Sequence, residues 1–112
     1  MQVLFIILNK VNYLDDILSI LVKLNVKGAT ILDSQGMASA IVNSDIKSIP
    51  LFGALKDLLK EHHPYNKTIF TVIKDQALLY QVVEEVKALL KNDKLPCGFM
   101  FTVPVGEMFL LN

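Results

Sequence analysis

Val3–Leu8 is an unbroken run of six apolar residues, and Phe99–Val105 is nearly as apolar. Both are rich in β-branched and aromatic residues and lie next to breakers, Asn9-Lys10 after the first and Leu95-Pro96 before the second, so both read as strands. Successive side chains on a strand point to opposite faces. Val3, Phe5 and Ile7 therefore oppose Leu4, Ile6 and Leu8, while Phe99, Phe101, Val103 and Val105 oppose Met100, Thr102 and Pro104. A sheet containing these strands is apolar on both sides. Any fold proposed for the chain has to cover it twice.

The remaining elements follow from spacing. Asn12 is a candidate N-cap, with Asp15 and Asp16 in a first turn where the helix dipole favours acids. Leu14, Ile17, Leu18, Leu21 and Val22 continue at helical spacing, and the helix is expected to stop near Asn25. Gly28 then releases the chain into a second strand, Ala29–Ser34. Lys67–Lys74 reads as a third strand. Asp75 caps a second helix whose apolar stripe runs through Leu78, Leu79, Val82, Val83, Val86, Leu89 and Leu90. Asn92–Pro96 breaks that helix, and Gly98 opens the fourth strand.

The chain thus contains β-α-β twice, which predicts an α+β, ferredoxin-like β-α-β-β-α-β domain over residues 1–112. Its sheet is four-stranded and antiparallel, and right-handed crossovers put both helices on one face. The first and third strands are expected at the centre. Residues 35–66 form a connection far longer than usual. Within it, Leu51, Phe52, Leu55, Leu58 and Leu59 predict a short amphipathic helix near 51–60, weakened at Gly53 by up to ~1 kcal/mol.

Two helices leave the other sheet face bare. Each large apolar side chain left in water there forgoes ~1.5–3 kcal/mol. A second copy of the chain is the expected cover, because closed homo-oligomers are the common solution. The competing cover is the chain's own 51–60 helix.

Composition narrows the function classes. Over 112 residues, 53% are hydrophobic and eleven lysines balance eleven acids, with no arginine. Zero net charge argues against a nucleic-acid footprint and against a polybasic membrane anchor. The six-residue apolar run is far short of the roughly 20 residues needed to cross a bilayer, so no membrane insertion is expected. The single Cys97 cannot form an internal disulfide and suggests a reducing, cytoplasmic setting.

Chemically suggestive residues are few. His62-His63 lacks the spacing of a metal pair, since neighbouring helical residues point about 100° apart. It reads as a solvated helix end, and no metal site is expected. Cys97 reads as a small buried filler unless a histidine approaches it in space. Adjacent carboxylates at Asp15-Asp16 and Glu84-Glu85 diverge and are poor acid–base partners. The small-residue stretch Ser34–Ala40 allows close backbone approach, and the fold is expected to bring Lys10, Thr30 and Gly98 to one side.

Several segments resemble the PII-type nitrogen regulatory proteins. They are Leu14-Asp15-Asp16-Ile17-Leu18 after the opening strand, Gly28-Ala29-Thr30-Ile31, Gly36-Met37-Ala38, and Phe101-Thr102-Val103-Pro104-Val105. The resemblance covers residues 2–36 and 66–108. It implies a cytosolic homotrimer whose sheets line a shared core. It also implies an adenine-nucleotide cleft between subunits, and a long loop that grips a transporter, enzyme or regulator. Carried over by position, Thr30, Gly36 and Met37 would flank the adenine side and Gly98 the phosphate-side loop. The family's basic residue after the second strand is Ser39 here, and the lysine opening its fourth strand is Phe99. Its C-terminal arginines have no counterpart. No cofactor is required on this reading; an adenine-type ligand is compatible, and the missing cations count against ATP in the family's usual mode.

The expectation is a non-catalytic, trimeric regulatory protein. It senses a small ligand between subunits, with Lys10, Thr30, Gly36, Met37 and Gly98 as ligand residues. The 37–65 loop contacts a partner protein through Leu51, Phe52 and Leu55. The alternative is a small oligomeric enzyme with His62, His63, Tyr65 or Cys97 at a subunit boundary. A third reading is a structural oligomer without a ligand.

Overall fold

The computed structural model describes residues 1–42 and 65–112. The helix expected near 51–60, with Leu51, Phe52 and Leu55, lies outside the described residues, as do His62 and His63. The described elements are β1 (Gln2–Leu8), a 3-10 turn (Val11–Tyr13), α1 (Leu14–Lys23), β2 (Thr30–Ser34), α2 (Met37–Val42), β3 (Asn66–Ile73), α3 (Gln76–Leu90) and β4 (Gly98–Pro104). The class is α+β. The four strands form one antiparallel sheet in the order β2-β3-β1-β4, an arrangement compatible with a ferredoxin-like fold.

The core lies between the sheet and two helices. Leu4, Ile6 and Leu8 of β1 and Ile69 and Ile73 of β3 meet Ile17 and Leu21 of α1 and Leu79, Val82 and Val86 of α3. Each is nearly or fully buried, which fits the 3.6-residue stripe of the helices to the two-residue period of the strands. Thr71 is the buried polar side chain of this layer; its hydroxyl donates to the Gly28 carbonyl at 2.5 Å and ties the α1–β2 connection to β3.

Local signals decide the element ends, with three corrections to the sequence reading. Asp75 does cap α3, accepting the Ala77 N–H at 3.0 Å, a contact typically worth ~1 kcal/mol. Asn12 does not cap α1. It lies inside the 3-10 turn, closed by the Tyr13 N–H on the Lys10 carbonyl at 3.1 Å, and the cap position falls to Tyr13 with no side-chain cap bond. α1 ends near Asn25, which is left-handed at φ 62°, and β2 starts at Thr30 rather than Ala29. The expected small-residue loop at Ser34–Ala40 becomes helical from Met37, with the Ala40 N–H on the Gly36 carbonyl at 2.9 Å. Methionine and alanine favour helix more than the turn reading allowed.

Candidate functional site

The sheet face away from the helices is strongly apolar yet partly exposed among the described residues. In-register partners across the sheet build rows of side chains. One row is Val72, Val3 and Val103; the next is Thr30, Phe70, Phe5 and Phe101; a third is Leu32, Thr68, Ile7 and Phe99. The phenyl rings form a continuous cluster. Phe5 stacks on Phe101 with centroids 4.9 Å apart and planes 10° apart, tilts against Phe70 at 5.7 Å, and Phe99 lies 6.1 Å from Phe101. Yet Phe99 remains 60% exposed and Phe101 43%. A polar corner borders the cluster where the hydroxyls of Ser34 and Thr68 share a 2.8 Å hydrogen bond.

A second constellation sits where β1 ends and β4 begins. Asp93, between α3 and β4, accepts from the Lys10 ammonium, from the Tyr13 hydroxyl at 2.9 Å and from the Leu95 N–H at 3.2 Å. Only 12% of its side chain is exposed. These donors, Lys10 first, then the Leu95 amide and Tyr13, hold its carboxyl at about 2, well below the ordinary 3.8. The same hydrogen bond to Asp93 raises the pKa of Lys10 and of Tyr13. Behind them, the Cys97 carbonyl accepts the N–H groups of Asn9 and Lys10 at 2.7 and 3.3 Å. The Cys97 thiol is buried, which raises its pKa and keeps it protonated, and it donates to the Leu95 carbonyl at 3.5 Å.

The sign of the carboxylate shift fixes a pH dependence. A depressed pKa contributes stability above the unfolded value, and that contribution is lost as pH falls through the folded one. Thermal denaturation followed from pH 5 to pH 2 therefore shows a drop in melting temperature between about 4 and 2 for the unaltered protein. Asp93→Asn flattens that segment of the curve. A curve of unchanged shape in the variant would remove Asp93 from the account.

Gly98 lies beside this cluster, opposite Leu8 in the register, so Lys10 and Gly98 come together. Thr30 does not join them. It occupies the phenylalanine row on the opposite edge strand, three strand spacings from β4, or about 14 Å. Gly36 and Met37 follow the end of β2 and share the Gly98 end of the sheet, but at that far edge. Met37 is exposed. Neither a protein-family model nor a curated protein matches the sequence.

Between α3 and β4 opens a cleft of about 770 Å³. Leu8, Val86, Leu90 and Met100 line its apolar part, and Lys87 of α3 lines it together with Lys91 and Lys94 of the connection that follows. Sequence reading missed Asp93 and Tyr13. Asn92–Pro96 carries an obvious breaker signal, and nothing local marks its one carboxylate as a partner for residues 80 and 83 positions away. Among the described residues no three His, Cys, Asp or Glu side chains form a metal-ligating group, and no helix is long and apolar enough to cross a membrane.

Proposed function

We propose that this chain is the subunit of a cytoplasmic, PII-like regulatory homotrimer that works by binding rather than by catalysis. The observation that carries the reading is the phenylalanine-rich sheet face. Each phenylalanine side chain taken from water there would gain ~1.5–3 kcal/mol, so the face favours a second and third copy as its cover. A ferredoxin-like subunit closed around a three-fold axis would use this face as the assembly's interior. The positions of the candidate ligand residues support the same reading. Gly36 and Met37 lie at one edge of the sheet and Gly98 at the other, so a neighbouring subunit is needed to bring the two sets to one cleft. The ligand on this reading is adenine-like and sparsely charged, because Lys10 is already engaged by Asp93.

The enzyme alternative draws nothing from Cys97. A buried, protonated thiol is a poor nucleophile.

Static light scattering at micromolar protein is the direct test. The expected mass is about three times the 12.5 kDa of the chain. A monomer at that concentration overturns the assembly. The ligand is tested by thermal shift with adenine nucleotides. Stabilisation that is lost in Thr30→Val and kept in Lys10→Gln fits adenine recognition without a phosphate clamp, and no shift with any of them overturns that part.

A further inference from the structure

The cleft between α3 and β4 borders both surfaces described above, sharing Asp93, Cys97 and Gly98 with the Asp93 cluster and Phe99 and Phe101 with the β4 edge of the sheet. It opens on the helix side of the sheet, and it is complete within one chain. Its volume of about 770 Å³ falls in the range of small-molecule sites, which are mostly apolar with a few placed polar groups. Here the apolar surface comes from Met100 of β4, Leu8 of β1, and Val86 and Leu90 of α3.

The charges around it are all but one of a single sign. Lys87, Lys91 and Lys94 line the cleft, against one carboxylate, Asp93. That carboxylate is already saturated by Lys10, Tyr13 and the Leu95 amide. Lys87 lies 3.7 Å from Glu84 in an exposed i,i+3 pair, which screening makes weak. Lys91 and Lys94 have no ion-pair partner among the described residues. On a chain of zero net charge, this concentrates unneutralised cations beside an apolar hollow.

We propose that the α3–β4 cleft binds an anionic amphiphile, a ligand with a carboxylate or phosphate head and an apolar body. The body lies along Met100, Val86 and Leu90. The head is held by Lys91 and Lys94, which act as point charges and need no bidentate geometry. Thr102, exposed on the same side of β4, borders the path of the apolar body.

Isothermal titration of the full chain with decanoate, decyl phosphate, decanol and inorganic phosphate separates the contributions. At least one of the two anionic amphiphiles is expected to bind about tenfold or more tightly than decanol, as charge-assisted hydrogen bonds require. Inorganic phosphate alone is expected to bind weakest. The decanoate and decyl phosphate arms distinguish a carboxylate head from a phosphate one. Lys91→Gln/Lys94→Gln, both surface changes, should reduce the preference over decanol to about none. Thr102→Trp, which fills the cleft from an exposed position, should abolish uptake. Equal binding of decanol, or uptake that survives Thr102→Trp, overturns the proposal, the latter by moving the ligand to the phenylalanine face. Failure of both anions to bind, with Thr102→Trp dissociating the oligomer, also overturns it and gives the cleft to a second copy of the chain. The light-scattering mass of the unaltered protein is read separately, so the assembly stands or falls independently of this site.

Discussion

Gly98→Ala lowers the melting temperature by on the order of 15 °C, the largest effect expected of any single methyl group in this chain. Gly98 holds φ at +144°, a region that side-chain-bearing residues rarely adopt. A Cβ built there falls 1.9 Å from the Ile7 carbonyl oxygen and 3.2 Å from the Leu8 Cα. Both obstacles are backbone of the central strand, so neither can swing aside as a side-chain tip would. Backbone strain of ~1–3 kcal/mol and overpacking of similar size combine to roughly 3–5 kcal/mol. Gly28→Ala is the matched control, since nothing lies within 4 Å of its added Cβ. It should melt within a few degrees of the unaltered protein. Equal melting temperatures for the two variants would mean that the β1–β4 approach is looser than this geometry.

Phe101→Glu converts the proposed trimer to a 12.5 kDa species at micromolar concentration, as read by light scattering. Within one chain, Phe101 contributes mainly its stack on Phe5, worth ~0.5–1.5 kcal/mol. With 43% of the residue already exposed, the chain tolerates the exchange and stays folded. At a three-fold interface the cost is much larger. Each subunit forgoes ~2–3 kcal/mol of phenyl burial and brings an unpaired carboxylate into an apolar layer, worth several kcal/mol more. Symmetry repeats that cost in every copy. Val22→Glu, on the exposed flank of α1, should leave the mass unchanged. A Phe101→Glu protein that keeps the mass of the unaltered one would show that the phenylalanine face is covered by something other than its own kind.

The two-sided apolarity of β1 and β4 was legible because strand periodicity is strict. Alternate residues must part company whatever the fold, so spacing alone grouped Phe5 with Val3 and Ile7, and Phe101 with Phe99 and Val103; the β1–β4 register then joins the two groups on one face. The helices were legible for a similar reason, with Leu79, Val82 and Val86 falling on the stripe that the sequence displays. Boundaries were less so. Asn12 has the right chemistry for a cap, but a 3-10 turn shifted the start of α1 and put Tyr13 at the cap position. Ser34–Ala40 looked like a loop because most of its residues are small. The same smallness, in alanine, favours a helix.

The candidate site was legible only in fragments. Lys10 and Gly98 could be placed together because they flank strands that pair. Asp93 could not be found at all, since two of its three donors, Lys10 and Tyr13, lie in a turn some 80 residues earlier in the chain. Thr30 shows the converse. Its motif position suggested company with Gly98, but the strand order sets β3 and β1 between them.

The pairing of β1 has a consequence for how the chain is made. Of the four strands, β1 leaves the ribosome first and is the most apolar, yet its partners are Asn66–Ile73 and Gly98–Pro104. At ~5–20 residues per second, roughly 90 residues and several seconds separate synthesis of β1 from that of its second partner. Throughout that interval Val3–Leu8 has no native neighbour on its β4 side. The nascent protein is then a natural client for chaperones, and its yield in cells should depend on translation speed and temperature more steeply than its folded stability would suggest.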